Sequence, residues 1–429
     1  MTVDESSDPS RAGPYAWYVL ILLTLGYMSN QIDRQILSIL IEPIKAEFGA
    51  SDLMMGLLTG PAFAIFYTFA GIPIARWADR GSRRLIIALS ISIWSLFTVL
   101  SGLALGFWTL ALCRVGVGTG EAGGTPPSNS IISDYFPIDV RARAIGIYGA
   151  GAQLGVSFGW LLGGWLFLWL GWRMTFVAVG LPGLALALLI WLTLRDPVRG
   201  GMETAGADIE SVPFRVALRH LLRQRSYAWV QLGGALHAIS AYGFAVWVAP
   251  FLMRVHDMEI HVLGTWLGVI TITAGVGGVV AGGWLSDRLT RRDQRWFLGV
   301  PILSACVATP FTLSFLYLGD PTWALLAYWF HVFTVNGYNA PIYTLHQAVV
   351  KVRVRTLSVA VHLFIVNLVG LGLGPVLVGA MNDRLHAAYG QLAIRYTMTA
   401  AALMGLAACV FYLASMRSVR EDIALRDAR

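Results

Sequence analysis

The chain has 429 residues, of which 56% are apolar and only 13% are charged, and its mean hydropathy is +0.65. Soluble proteins carry about twice this share of charged residues, so most of the surface must face lipid rather than water. The three cysteines lie singly in apolar stretches, which argues against a disulfide framework or a zinc site, and we expect no metal and no cofactor.

Twelve apolar stretches are long enough to cross a bilayer as helices, because a hydrocarbon core of about 30 Å requires roughly 20 helical residues. In chain order they are 15–40, 54–77, 85–106, 108–134, 143–170, 173–194, 227–253, 262–286, 297–318, 322–350, 356–382 and 391–416. The sequence therefore predicts an all-α membrane protein with 12 transmembrane helices. The acidic opening segment has no basic start and no cleavage site, so we interpret the first stretch as a retained helix.

The basic residues predict the orientation of these spans. The tails and alternate loops hold 24 of the 31 Lys and Arg residues, whereas the loops on the other side hold five. The positive-inside rule then places both termini in the cytoplasm. The abundance of arginine over lysine favours a bacterial inner membrane. The net charge of +7 is explained by these loops, so we expect no nucleic-acid partner.

A repeat of about 210 residues divides the chain into two halves. Asp79, Arg80 and Arg83 follow the second stretch, and Asp287, Arg288 and Arg291 follow the eighth at an offset of 208. Matching pairs of arginines open the fifth and eleventh stretches. We therefore predict a tail (1–14), a six-helix bundle (15–194), a linker containing an amphipathic helix (195–226), a second six-helix bundle (227–416) and a tail (417–429).

The repeated D-R-x-x-R-R loop resembles the signature loop of the major facilitator superfamily. This resemblance implies two pseudo-symmetric six-helix bundles that transport a substrate by alternating access around a central cavity. It also implies a cytoplasmic gating cluster of Asp79, Arg80, Arg83 and Asp134, with Asp287 and Arg291 as its second-half counterpart. We expect a monomer surrounded by membrane lipids.

Four charged residues lie well inside the spans: Asp33 and Arg34 in the first, and Arg114 and Glu121 in the fourth. Each costs about 2.5–3.5 kcal/mol at the bilayer centre, so they must pair or face a wet cavity. Their depths along the helices allow one cluster. We expect Arg34 and Arg114 to bind an anionic group, and Asp33 and Glu121 to exchange protons. The alternative is that these charges form ion pairs that only hold the two helices together.

The second half has no charged residue near the centre of its spans, and its polar residues there are accompanied by aromatic ones. We expect Tyr242, Trp247, Tyr338 and Asn339 to contact the substrate. This asymmetry predicts an amphipathic substrate, whose charged head meets the first half and whose apolar body meets the second.

The N-Q-I-D-R sequence of the first span and the glycine-rich run from Arg114 to Pro127 resemble the Spinster-like branch of the superfamily. Eukaryotic members of that branch export lysolipids, so the resemblance implies transport of an amphipathic anion such as a lysophospholipid or a sphingosine-phosphate-like lipid. Proton coupling is expected from the buried carboxylates. Related symporters of small organic anions, such as sugar acids or aromatic acids, carry the same D-R pair and the glutamate of the fourth span. A proton symporter of such an anion is therefore the alternative.

Prolines interrupt the fourth and tenth stretches at matching places. Pro126 and Pro127 follow Glu121, and Pro341 lies at the corresponding place in the second half. Proline removes a helical hydrogen bond, so these positions predict hinges or broken helices that take part in gating. Gly116, Gly118 and Gly120 could be mistaken for a phosphate loop, but Gly116, Gly120 and Gly124 recur at a spacing of four and are interpreted as a helix-packing seam. The fifth stretch carries the same kind of seam, formed by Gly151, Gly155, Gly159 and Gly163. The buried histidines lie singly, without a ligand pair or a nucleophile, so we do not expect an enzyme.

Overall fold

The computed structural model describes residues 13–199, 221, 224–350 and 354–428, and this part of the chain is helical without a β-strand. Its α-helices are α1 (Pro14–Ile39), α2 (Ile41–Phe48), α3 (Asp52–Thr59), α4 (Pro61–Arg80), α5 (Arg83–Gly102), α6 (Phe107–Glu121), α7 (Thr125–Tyr135), α8 (Ile138–Thr193), α9 (Arg225–His256), α10 (Ile260–Ile270), α11 (Val276–Thr290), α12 (Trp296–Tyr317), α13 (Pro321–Asn336), α14 (Asn339–Ala348), α15 (Arg355–Ile365), α16 (Gly372–Tyr389), α17 (Ala393–Met416) and α18 (Val419–Ala428). Short π-helical segments join α10 to α11 and α15 to α16.

These helices correspond to the twelve predicted membrane spans, and the all-α fold is confirmed. Seven helical stretches of the described chain have the length and apolarity of membrane spans. Two of them contain two spans each, separated at Gly171 (φ 73°) and at Gly390 (φ 55°), where a left-handed backbone favours glycine. The remaining predicted spans are α1, the pair α6 and α7, and the pair α13 and α14.

The first compact unit comprises the described residues within 1–48 and 62–207. Its central contact is between α1 and the first part of α8, along the glycine seam of Gly151, Gly155, Gly159 and Gly163. A Cβ atom at Gly155 would lie 2.5 Å from the carbonyl oxygen of Met28. Only glycine allows the two backbones to come this close. The seam therefore determines which face of α1 packs against α8.

The second compact unit comprises the described residues within 49–61 and 208–429. Residues 49–61, which we had assigned to the first bundle, group with this unit because α3 packs closely on α16. A Cβ atom at Gly56 would lie 2.6 Å from the carbonyl oxygen of Pro375. The sequence shows the glycine but not its partner, which is about 320 residues away along the chain.

Most of the predicted linker helix lies outside the described residues, as do residues 1–12. The predicted tail after residue 416 contains α18. Arg420 of this helix forms an ion pair with Asp293, and Asp422 accepts a hydrogen bond from the backbone N–H of Ser226 at 3.0 Å. These contacts hold α18 against the start of α9 and the loop before α12.

Candidate anion and proton site

Arg34 of α1 and Glu121 at the end of α6 form an ion pair in the first unit. Nε of Arg34 donates a hydrogen bond of 2.7 Å to Oε2 of Glu121. The side chain of Glu121 is fully buried, whereas that of Arg34 is 21% exposed. Oε1 of Glu121 has no hydrogen-bond partner among the described residues. The pair therefore combines a buried carboxylate with a cation that a ligand can reach.

Asp33 and Arg114 form the second pair, deeper in the same unit. Their closest atoms, Nη1 of Arg114 and Oδ1 of Asp33, are 3.4 Å apart, and both side chains are almost fully buried. The hydroxyl of Thr98 in α5 lies 2.8 Å from Oδ2 of Asp33 and is the shorter contact of this carboxylate. The structure thus brings the four predicted intramembrane charges together as two neighbouring ion pairs.

The ring of Phe63 in α4 lies beside both arginines. The guanidinium carbon of Arg34 is 4.6 Å from the centre of this ring and that of Arg114 is 5.7 Å from it, while Arg34 also lies 4.9 Å from the ring of Tyr67. The aromatic faces stabilise the cations electrostatically. A Cβ atom at Gly118 would lie 2.6 Å from the carbonyl oxygen of Phe63, so this glycine permits the close approach of α4.

Phe63, Tyr67 and Thr98 were not found by sequence reasoning. They carry no charge, and many other aromatic and hydroxyl side chains occur in the spans. The predicted glycine seam of Gly116, Gly120 and Gly124 indicated close helix contacts in the fourth span, but it did not include Gly118. It did not identify the neighbouring helix, which only the tertiary structure provides.

Both interrupted spans are broken beside the predicted prolines. The helix α6 ends at Glu121, and α7 begins at Thr125 with Pro126 and Pro127 in its first turn. In the second unit, α13 ends at Asn336 and α14 begins at Asn339, two residues before Pro341. Glu121 is therefore the last residue of α6, and the span is interrupted immediately after it.

The predicted contact residues of the second unit have different environments. Trp247 is fully buried and its indole N–H donates to the carbonyl oxygen of Pro375 at 3.0 Å, which is a packing role. Tyr338 is buried and its hydroxyl lies 2.6 Å from that of Tyr412. Tyr242 is half-buried and Asn339 is exposed, so these two are the accessible members of the set.

Of the predicted gating residues, Arg83 and Asp134 are in contact with each other. Arg83 is buried and donates to Asp134 at 2.5 Å, so this pair links α5 to α7. Asp79 and Arg80 are exposed at the end of α4, and Asp79 makes no ion pair within the described part of the chain. The second-half counterparts, Asp287 and Arg291, are exposed, and no ion pair between them occurs in the described residues.

Sequence reasoning also missed a buried ion pair at the start of α3. Two nitrogen atoms of Arg254 contact the two carboxylate oxygens of Asp52, at 2.5 and 2.8 Å. The carboxylate of Asp383 in turn accepts hydrogen bonds from the backbone N–H groups of Asp52 and Leu53. An acidic residue in a first helical turn is common, so the sequence contained no signal for this partnership.

Known proteins resemble this chain over nearly its whole length. A sequence profile described as Major Facilitator Superfamily matches residues 23–375. The chain is 31% identical to an MFS-type efflux pump of Mycolicibacterium smegmatis, over 98% of this chain and 97% of the pump. It is 25% identical to protein spinster homolog 3 of Danio rerio, over 92% of this chain and 83% of that protein. It is 24% identical to a D-galactonate transporter of Escherichia coli, over 97% of this chain and all of that transporter.

Among solved structures, the chain is similar to a bacterial homolog of the human lysosomal transporter Spinster in an inward-facing, unoccupied conformation. The TM-score is 0.88 and the sequence identity is 35%, over 96% of this chain and 99% of the other. A second structure of a bacterial Spinster homolog, described as occupied, has a TM-score of 0.84 and 34% identity. The similarity therefore includes both halves of the repeat.

Proposed function

The chain belongs to the major facilitator superfamily as a Spinster-like transporter, and we propose that it moves an amphipathic anion, such as a lysophospholipid or a sphingosine-phosphate-like lipid, by proton-coupled alternating access. One observation carries this proposal: the ion pair between the partly exposed Arg34 and the buried Glu121. The basic loops support a cytoplasmic position for both termini.

An anionic head group is supported by the chemistry of Arg34. A guanidinium group presents several N–H donors in a plane and binds carboxylate or phosphate oxygens through two parallel hydrogen bonds. In this pair, Nε of Arg34 contacts a single carboxylate oxygen of Glu121. A substrate anion that reaches the exposed part of Arg34 would compete with Glu121 for it.

This competition provides a mechanism for proton coupling. Once the anion has taken Arg34, the carboxylate of Glu121 loses its nearest cation in a buried setting. An unpaired buried charge is several kcal/mol less stable than a paired one, so Glu121 would then take up a proton. Anion binding and proton binding therefore favour each other at this site.

The first unit also has an apolar groove, between α1 and the two parts of α8. Leu25, Met28 and Ile32 of α1 form one wall, and Leu166 and Pro182 of α8 contribute to the other. Its walls are mostly apolar. Because an α-helix has about 3.6 residues per turn, Leu25, Met28 and Ile32 lie on the face of α1 opposite Arg34, so this groove does not extend to the guanidinium group. We therefore expect the apolar body of the substrate in the second unit, beside its aromatic side chains.

The second candidate is a small organic anion such as a sugar acid. It is favoured by the curated relatives, because they include transporters described as carrying D-galactonate and hexuronate at 24% and 26% identity. Such a substrate would use Arg34 in the same way and would need no apolar contact surface.

Reconstitution into liposomes tests the proposal. We expect uptake of a lysophospholipid or sphingosine phosphate, and we expect an imposed pH gradient to change the rate of uptake. D-galactonate and glucuronate serve as competing substrates in the same vesicles. Uptake of these acids without any lipid transport would replace the first candidate with the second.

A matched pair of variants separates coupling from folding. Glu121→Gln should abolish the response to the pH gradient, whereas Glu47→Gln, at an exposed position, should retain it. A pH response that persists in Glu121→Gln would reject the proposed coupling residue. Uptake of no anion by the wild-type protein would reject the substrate class.

A further inference from the structure

A small internal space in the first unit lies between α1, α5, α7 and the first part of α8. Six side chains with polar groups line it: Tyr27, Asn30, Trp94, Thr125, Ser128 and Tyr148. The space is about the size of one water molecule. The remaining lining is apolar, so the polar groups have few other places to form hydrogen bonds.

One of these side chains has an unsatisfied hydrogen-bond donor. Trp94 is 2% exposed, and its indole N–H has no hydrogen-bond partner among the described residues. A buried donor without a partner is destabilising by about 1–3 kcal/mol. Native proteins rarely retain such a group, and an ordered water is the usual partner.

Acceptors for such a water are present on the facing walls. The hydroxyl of Tyr148 interacts with the side chains of Ser128 and Thr125. Its ring stacks on that of Tyr27 with the centroids 4.8 Å apart. A buried water typically makes about three hydrogen bonds, and the indole donor with two hydroxyl acceptors would satisfy that number.

The space adjoins both ion pairs of the candidate site. The carbonyl oxygen of Trp94 lies 2.8 Å from the hydroxyl of Thr98, which also contacts Asp33. Gly124, which also lines the space, donates its backbone N–H to the carbonyl oxygen of Glu121 at 3.1 Å. Along α1, the lining residues 23–30 precede Asp33, so the space lies toward the end of the unit at which α1 begins.

We propose that this space binds a single water molecule, held by Trp94, through which protons pass between Glu121 and the side of the membrane where α1 begins. The water would accept a proton from the Glu121 side as it releases one of its own to the hydroxyl of Tyr148, and that hydroxyl would pass its own proton on toward the side where α1 begins, so that each group ends neutral. Ser128 donates to the carbonyl oxygen of Gly124, so it would hold the water as an acceptor and would not relay the proton. The water site itself depends only on the geometry. The proton route also rests on the proposed proton coupling.

Radiolytic hydroxyl labelling of the wild-type protein tests the water site. Radicals formed from a bound water oxidise the side chains beside it, even where bulk solvent does not reach. Trp247 is a matched control, because it is also buried and its N–H already donates to Pro375. We expect several-fold faster oxidation of Trp94 than of Trp247. Equal oxidation of the two would overturn the water site.

Filling the space tests the route. A Cβ atom at Gly124 would lie 3.4 Å from the ring of Trp94 and 3.5 Å from the carbonyl oxygen of Glu121, so alanine fits there without strain. In Gly124→Ala, we expect the oxidation of Trp94 to fall to that of Trp247 and pH-driven uptake to slow about tenfold or more. Substrate affinity at a fixed pH should stay within about threefold, which corresponds to about 0.65 kcal/mol.

Gly146→Ala is the control, because a Cβ atom there meets nothing within 4 Å. Ser128→Ala, which removes an acceptor without adding volume, should slow pH-driven uptake in the same way and serves if Gly124→Ala does not fold. Unchanged uptake rates in both variants would overturn the route. A wild-type protein that shows no pH response at all would reject the coupling proposal, while the labelling result would still decide the water site.

Discussion

The two units stabilise their buried polar groups in different ways. In the first unit, four ionised side chains meet within the spans as two ion pairs beside the ring of Phe63. In the second unit, ring stacking and a hydroxyl contact bring buried polar side chains together. The ring centroids of His237 and Tyr338 are 3.9 Å apart, and the hydroxyl of Tyr338 contacts that of Tyr412. Within the described residues, the charges that lie well inside the spans are thus concentrated in the first unit.

The described part of the second unit also contains a buried ion pair, which lies at the ends of its helices. Arg254 is in the last turn of α9 and Asp52 is in the first turn of α3. At these positions the pair joins helix ends and does not border the interior of a span. The comparison therefore predicts functional effects for charge removal in the first unit and mainly structural effects in the second.

The largest effect on transport is expected at Glu121. Glu121→Gln preserves the shape of the side chain but removes its charge and its ability to bind a proton. We expect loss of pH-dependent transport, with rates reduced about 100-fold or more, which is typical of a missing proton-transfer group. Uptake by reconstituted vesicles at a series of pH values provides the measurement. A variant with normal pH dependence would assign the pair a structural role.

The next effect is expected at Arg34. Arg34→Lys keeps the positive charge but loses the planar set of donors that contacts Glu121 and binds an anion. We expect the substrate concentration for half-maximal uptake to rise about tenfold or more, equivalent to about 1.4 kcal/mol. Direct binding measurements on the purified protein check this. Unchanged affinity would show that the anion is held elsewhere.

Arg254 separates structural from functional charges. Arg254→Gln leaves Asp52 buried without its cation, which is destabilising by about 3–5 kcal/mol. Denaturant unfolding in detergent micelles measures this loss. The double variant with Asp52→Asn should recover much of it, because the unpaired charge is then gone. A single variant as stable as the wild type would contradict the observed burial of the pair.

A smaller effect is expected at Tyr338. Tyr338→Phe deletes the hydroxyl that meets Tyr412 and leaves that buried group without this partner. We expect a loss of about 1 kcal/mol in the free energy of unfolding. Because the group is packed inside the second unit, uptake should be nearly unchanged. A marked rise in the substrate concentration for half-maximal uptake would instead support the substrate contact that the sequence predicts for this tyrosine.

The smallest effect is expected at Glu47, outside the spans. Its hydrogen bonds with Arg173 and Trp172 hold the pKa of the carboxyl below its usual range. A carboxyl with a lowered pKa stabilises the fold above its unfolded pKa, and this contribution is lost as the pH falls through the folded pKa. We expect Glu47→Gln to be less stable than the wild type by at most about 1 kcal/mol at pH 7. The difference should vanish as the medium is acidified below pH about 4; a difference that persists there would exclude the ion pair as its cause.

The fold could be predicted from the sequence because lipid imposes strict local rules. Each span must be long and apolar, each interior charge is conspicuous, and the loops carry the orientation signal. For the same reason, Asp33, Arg34, Arg114 and Glu121 were identifiable without a structure. The glycine seam along α8 also predicted a close helix contact, since few other residues permit it.

The sequence by itself thus determined the twelve spans, the repeat and the four charges that lie in the membrane. Only the tertiary structure decided which arginine pairs with which carboxylate, that Phe63 lies beside both arginines, and that residues 49–61 group with the second unit. The physical reason is that the composition of each span depends on the lipid that surrounds that helix, and this dependence is local in the sequence. Which side chains pair depends on how helices that are far apart in the chain rotate and approach one another. Uncharged partners cannot be distinguished in the sequence from the many other uncharged residues of the spans.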